Sequence, residues 1–314
     1  MLGGEDVEHS FCLRPFGAEC GAGSRRAQCR PQFAKYVASV PGRLRGFELT
    51  VSDAESIKEN AKLIAAKLLT YYKGDQPGQI PGILPGPPPG GDYYWWEGGA
   101  MWGTLIDYWH YTNDSTYNAE IERSMVFQAN SPDNDYQPPN HTASLGNDDQ
   151  GFWGMSAMLA AENRFQNPPP GQPQWLALAQ AVFNTQAARW DTQFCAGGLR
   201  WQVPPTNKGY NYKNSIANGI LFNLGARLAR YTNNDTYAQW SYKIWDWMTA
   251  VGYIDLHDYS VYDGGHIEHN CTDVMKAQFS YNAAVWIQGL GFLYNYVIGP
   301  SFSISSVPAN SMTD

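Results

Sequence analysis

Two adjacent carboxylates, Asp148 and Asp149, stand in the run Gly146-Asn147-Asp148-Asp149-Gln150-Gly151-Phe152-Trp153-Gly154. Asn147 with Gln150 three positions on has the form of a capping box, with Asn in the cap role. That puts both acids in a first helical turn, roughly 100° apart around the axis, where they can point into one cavity. Acids also favour helix N-termini simply because the macrodipole stabilises them there. A chemical role therefore needs support from the rest of the chain. Paired carboxyl groups suit cleavage of a glycosidic bond, which needs one group able to donate a proton and a second on the other side of the bond. A helix N-terminus lowers both pKa values, whereas a like charge next door makes the second proton harder to lose. Burial beside Trp153 adds to the second effect, so the pair can divide into one ionised and one protonated member.

Composition favours a sugar. Trp 12, Tyr 20 and Phe 13 together make 14 % of the chain, while charged residues make only 16 %. Flat apolar faces stack on pyranose rings, and amides or carboxylates read hydroxyls. With 21 basic against 29 acidic residues, net charge −8 and no basic stripe, a nucleic-acid partner is not expected. No run of about 18 apolar residues exists, so no transmembrane span is expected either. The six histidines lack metal-ligand spacing, and His266, Glu268 and His269 lack the helical i,i+4 pair. Cys12, Cys20 and Cys29 fit no common zinc pattern, so no metal is expected. No nucleophile elbow, phosphate loop or dinucleotide fingerprint appears.

The elements that must position the acids read as helices. Ser52 or Asp53 caps a first one, with Ile57, Ala61, Ile64, Ala65, Leu68 and Leu69 at helical spacing. Further helices follow over 94–111, 115–128, 148–165, 175–190, 212–231, 236–251 and 277–296, about eight in all. No strand series is found, so the class is all-α. The turns Tyr111-Thr112-Asn113-Asp114-Ser115-Thr116-Tyr117 and Tyr231-Thr232-Asn233-Asn234-Asp235-Thr236-Tyr237 are nearly the same, the mark of a repeated helix–turn–helix unit. Largely apolar helices (94–111, 148–165, 212–231, 277–296) alternate with amphipathic ones. Two concentric layers are expected, a toroid with the loops before the inner helices at one mouth; a plain helical solenoid is the other arrangement. At that mouth, Trp95 and Trp96 are candidate stacking platforms and Glu97 a candidate anchor. Asn147, Gln150, Trp153, Tyr212, Lys213, Asn214, Asn218 and Asp263 are further candidates for sugar contact, with Lys213 placed to pair with a catalytic carboxylate. Each also has a structural reading: Trp as core, Asp263 as turn former.

Asn113, Asn140, Asn234 and Asn270 head N-glycosylation sequons, which implies export and makes a Cys195–Cys271 disulfide reasonable. No signal peptide is visible at the N-terminus.

The stretches Tyr94-Trp95-Trp96-Glu97-Gly98-Gly99-Ala100-Met101, Gly146 to Gln150, Leu199-Arg200-Trp201-Gln202 and Tyr212-Lys213-Asn214-Ser215 resemble fungal members of glycoside hydrolase family 76. These are endo-α-1,6-mannanases and related cell-wall transglycosidases that act on the mannan of GPI-anchored glycoproteins. The resemblance runs from about Phe47 to Tyr296. It implies an (α/α)6 barrel, a retaining mechanism without cofactor, Asp148 as nucleophile and Asp149 as general acid/base. It also implies α-1,6-mannan or a mannosylated GPI-type glycan as substrate, a cell-wall glucan as acceptor, and a place outside the cell, in the wall or at the plasma-membrane surface. Residues 1–46 depart from the family pattern and are expected to be disordered, as is 300–314, which lacks the apolar end of a GPI-attachment tail. Residues 47–299 then form a barrel domain with about eight of the twelve helices, counted as hairpin repeats. An inactive carbohydrate-binding remnant and a helical-repeat interaction protein are the alternative functions.

Overall fold

The computed structural model describes residues 48–299; the expected disorder of 1–46 and 300–314 and the three N-terminal cysteines lie outside the described residues. Eight α-helices are present among those described: α1 (Ala54–Leu69), α2 (Trp95–Thr112), α3 (Asn118–Gln128), α4 (Asn147–Glu162), α5 (Trp175–Ala188), α6 (Ser215–Thr232), α7 (Asp235–Ala250) and α8 (Ser280–Ile298). Of the two residues able to cap α1, Asp53 does so, its carboxylate accepting from the Glu55 N–H at 3.0 Å.

Helices α2, α4, α6 and α8 pack in sequence as an inner layer, α2 on α4, α4 on α6 and α6 on α8. Outside them, α3 lies on α2, α5 on α4 and α6, and α7 on α6. This alternation is the (α/α)6 barrel arrangement, and the solenoid reading falls away. Helix α6 is the centre of the core, buried without a break from Ser215 to Ala229. Glycines set the α2–α4 approach: a Cβ on Gly99 would come within 2.9 Å of the Trp153 ring, and one on Gly98 within 3.2 Å. With hydrogens there, Trp153 is fully enclosed against α2.

Three details differ from the sequence reading. The helix expected from Tyr212 begins at Ser215, and Tyr212–Asn214 is instead a short strand, β1, paired antiparallel with β2 (Gly264–His266) so that Lys213 faces Gly265. Asn214 ends the strand and caps α6, accepting from the Ala217 N–H at 3.2 Å. On α1, Ile57 and Ile64 stay exposed (45 % and 53 %), because the helix is covered by α2 only along the side that carries Ala61 and Ala65.

Cys195 and Cys271 are joined by a disulfide, Cα–Cα 5.6 Å, which ties the loop after α5 to the segment after β2. No described helix is long and apolar enough to cross a membrane, and no group of three or more His, Cys, Asp or Glu among the described residues could hold a metal ion.

Candidate active site

The mouth of the inner layer holds a cleft of about 470 Å³ lined by Tyr93, Tyr94, Trp95, Trp96, His141, Asp148, Asp149, Trp201 and the loop Ile83–Pro88. Asp148 and Asp149 enter it from the start of α4. The cap is Gly146 rather than Asn147: its backbone is extended (φ −94°, ψ 155°), and its N–H donates to the Asp149 carboxylate at 2.8 Å. Asp149 thus fills the reciprocal place that the sequence reading gave to Gln150. Asp148 accepts from the Asp149 N–H at 3.0 Å. Both carboxylates converge on the side of Gly146 where any other residue carries its Cβ; a Cβ there would run into Asp148 Oδ1 and come within 2.8 Å of Asp149 Oδ2.

The strand-like segment 201–203 runs beside this start. Asn147 N–H donates to the Trp201 carbonyl at 2.8 Å and Val203 N–H to the Leu145 carbonyl at 2.9 Å. Trp201 is thereby set next to Asp148. On the other side, Trp96 stacks against Phe152 (4.6 Å between centroids) and remains partly exposed to the cleft. Trp95 is held by its indole N–H, which donates to Gln128 Oε1 at 2.8 Å, and lies in a column of rings with His141 and Trp153. Glu97 caps α2, accepting from the Tyr94 N–H at 2.6 Å.

Several candidates from the sequence prove to be supports. Asn147, Gln150, Trp153, Lys213, Asn214 and Asn218 are all buried, and the four polar ones with long-range partners spend their groups on protein. Arg189 donates to Asn147 Oδ1 and to Gln150 Oε1, both at 2.8 Å; Asn147 donates to the Arg200 carbonyl, Gln150 to that of Asp135 and Asn218 to that of Leu199. Lys213 pairs with Asp191 at 3.3 Å, not with Asp148 or Asp149, and burial pulls its pKa down to about 8. These residues locate α4 and the 191–203 loop, and none of them lines the cleft. Tyr212 and Asp263 form a second group at the rim, the Tyr212 hydroxyl donating to Asp263 at 2.8 Å. Tyr281 lies within electrostatic reach of both groups, its pKa raised by burial and by the charges of Asp263 and Asp148. Arg189, Gly146, His141 and the 83–88 loop were not singled out from the sequence. Gly146 and Trp201 carried a signal, as parts of the motifs 146–150 and 199–202.

Burial raises the pKa of both acids, Asp148 well above the ordinary carboxylate range and Asp149 to about 6. The Asp149 charge raises Asp148 further, and backbone N–H groups oppose both shifts without cancelling them. The macrodipole loses to desolvation here. In the unfolded chain both acids titrate near 3.9, so from about pH 4 upward the folded chain holds protons that the unfolded chain has released. The stabilising contribution is complete below pH 4 and is lost as pH rises through about 6 and beyond. We expect the Tm of the wild type to fall by a few degrees between pH 4 and 7.5 relative to the D148N/D149N double variant, at roughly 2–4 °C per kcal/mol. Parallel Tm–pH curves for the two proteins would contradict the shifted pair.

An acid pair in an aromatic cleft at the mouth of a helical toroid defines the class. Residues 56–301 match the family model Glycosyl hydrolase family 76, and the chain belongs to that family. It is similar to mannan endo-1,6-alpha-mannosidase DCW1 of Saccharomyces cerevisiae, 49 % identical over 250 residues, covering 79 % of this chain and 54 % of that protein. A similar match is DFG5 of the same yeast, 41 % identical over 253 residues, covering 80 % of this chain and 54 % of that protein. The chain spans about half the length of these relatives. Among solved structures it resembles Dfg5 from Chaetomium thermophilum in complex with glucosamine, with 64 % identity and TM-score 0.77 over 79 % of this chain and 61 % of that one. The fold also recurs in an alpha-1,6-mannanase of Salegentibacter, solved as an inactive variant with alpha-1,6-mannotetrose, at 16 % identity and TM-score 0.61 over 76 % of this chain and 64 % of that one.

Proposed function

We propose that this chain cleaves or transfers α-1,6-linked mannose chains by a retaining two-carboxylate mechanism, in fungal cell-wall biogenesis. The observation that carries the reading is the convergence of Asp148 and Asp149, with raised pKa values, in an aromatic cleft. Two carboxyl groups this close leave no room for a water between them and the sugar, which favours direct attack over inversion. Asp148 is the nucleophile and Asp149 the general acid/base. Burial of both groups and the repulsion between their charges keep one proton on the pair. Positive charge growing at the sugar's anomeric carbon beside Asp148 draws that carboxylate into its ionised form and leaves the proton for Asp149 to deliver to the leaving oxygen. Trp96 and Trp201 supply stacking faces, with Glu97, Tyr212 and Asp263 at the rim.

The substrate is α-1,6-mannan or the mannosylated glycan of a GPI-type anchor, met outside the cell, in the wall or at the plasma-membrane surface. Attack on the glycosyl-enzyme by water gives hydrolysis; attack by a hydroxyl of a cell-wall glucan gives transfer. The test is incubation with α-1,6-linked mannooligosaccharides, following products by NMR as they form. The reading expects shortened or lengthened chains whose new ends appear first as the α-anomer. Products born as the β-anomer would overturn the retaining mechanism, and no turnover on any α-1,6-linked chain would overturn the activity.

A further inference from the structure

A second hollow, about 450 Å³ and open to solvent, lies on the outer face of the molecule at the start of α7. It is lined by Asn234, Asp235, Thr236, Gln239, Trp240 and Lys243, none of them part of the acid-pair cleft. Asn234 is both one end of this hollow and the first residue of the sequon Asn234-Asp235-Thr236. Its Oδ1 is committed, accepting from the Thr236 N–H at 3.0 Å as the cap of α7. That Asx turn turns Nδ2 away from the helix; it donates no hydrogen bond to any described residue, and Asn234 is exposed. Six residues on, Trp240 is half-buried and braced edge-on against Trp190 at 5.8 Å and Phe183 at 6.3 Å, with the Lys243 ammonium 4.1 Å from its ring centre. A fixed indole with a carboxylate, an amide and an ammonium around it is what a pyranose ring with an acetamido group asks for.

We propose that Asn234 is an N-glycosylation site whose first N-acetylglucosamine sits in this hollow against Trp240. The other three sequons, at Asn113, Asn140 and Asn270, line neither this hollow nor the acid-pair cleft. At Asn270 the side-chain Oδ1 already accepts from the Cys195 N–H at 2.9 Å beside the disulfide. In the modification, Asn234 Nδ2 forms a bond to C1 of a lipid-diphosphate-linked oligosaccharide. The bond between C1 and the diphosphate oxygen breaks, the lipid diphosphate leaves with the electron pair, and one amide proton passes to base. The host's oligosaccharide transferase and its lipid-linked donor supply the reaction. The seat turns the sugar from a solvated appendage into part of the fold, packing the N-terminus of α7 through apolar contact. The proposal stands on export and on this hollow, and is independent of the catalytic reading.

The test expresses the full chain through the secretory pathway of a yeast host. Peptide mass spectrometry is expected to find Asn234 occupied. Trimming with an endoglycosidase that leaves one N-acetylglucosamine should keep the Tm of the intact glycoprotein, whereas complete removal by an amidase should lower it by a few degrees. In N234Q, which keeps the other sequons, the gap between trimmed and fully stripped protein should vanish; in W240L it should shrink while Asn234 stays occupied. An unmodified Asn234, or trimmed and stripped wild type melting together, or a gap that survives in N234Q or is undiminished in W240L, would overturn the proposal.

Discussion

Replacing either acid by its amide is expected to lower kcat/KM on α-1,6-mannooligosaccharides by about 10³-fold or more, while the folded state gains stability. General acid–base groups contribute typically about 10²–10⁴-fold, and the nucleophile's loss removes the covalent route altogether. The stability gain follows from the site's own electrostatics: two carboxyl groups lifted by burial and, for Asp148, by its neighbour's charge are strained at neutral pH. D148N or D149N removes one of them without changing its shape. Activity and Tm should therefore move in opposite directions, measured in one preparation at pH 7. A variant that keeps its activity, or one that loses both activity and cooperative melting, would remove that acid from the assigned role.

The second large effect concerns Lys213. Its ammonium is fully enclosed and donates to the carbonyls of Asp191, Phe194 and Gly197 at 2.9, 2.7 and 2.6 Å. The chain turns those carbonyls inward through four successive residues with positive φ, Cys195 (56°), Ala196 (55°), Gly197 (153°) and Gly198 (93°). A Cβ on Gly198 would meet the Trp247 ring, so a side chain there is excluded sterically as well as conformationally. Lys213→Met fills the space but takes the ammonium away from three carbonyls and leaves Asp191 with Arg200 as its one ion-pair partner among the described residues. Breaking a buried pair costs about 3–5 kcal/mol, so Tm should drop on the order of 10 °C at roughly 2–4 °C per kcal/mol. Chemical denaturation of K213M would read this directly; a loss below about 1 kcal/mol, the worth of an exposed pair, would show that the lysine does not hold the loop.

The same residue shows what a sequence can and cannot tell. Tyr212-Lys213-Asn214 looked like a row of hydroxyl readers because its residue types are those of a sugar site. The partners of Lys213 lie 16 to 22 positions back, in a loop whose shape depends on left-handed backbone that no periodicity signals. Asn147 and Gln150 misled in the same way, since Arg189, which occupies both, stands 42 and 39 positions away. The alternation of apolar and amphipathic helices was legible because burial on all sides, as in α4, where no residue is exposed, removes the polar stripe that one-sided burial leaves. That the two acids share one cavity was legible because both fall in one first helical turn, though which residue caps them was not: Gly146 has no side chain to advertise the job. Trp95 and Trp96 looked alike in sequence. One braces the ring column and the other opens to the cleft, a difference of about one-quarter turn around α2 that only the position of α4 decides.

The central claim is that Asp148 forms a bond to the sugar. A slow mannosyl fluoride carrying a second fluorine on the ring, which delays breakdown of the glycosyl-enzyme, should load the protein with one mannosyl unit. Peptide mass spectrometry should place it on Asp148, and D149N should retain it longer than wild type because the base that activates water is gone. A label on Asp149, Asp263 or Glu97, or an unlabelled protein that nonetheless turns over the unmodified substrate, would contradict the account.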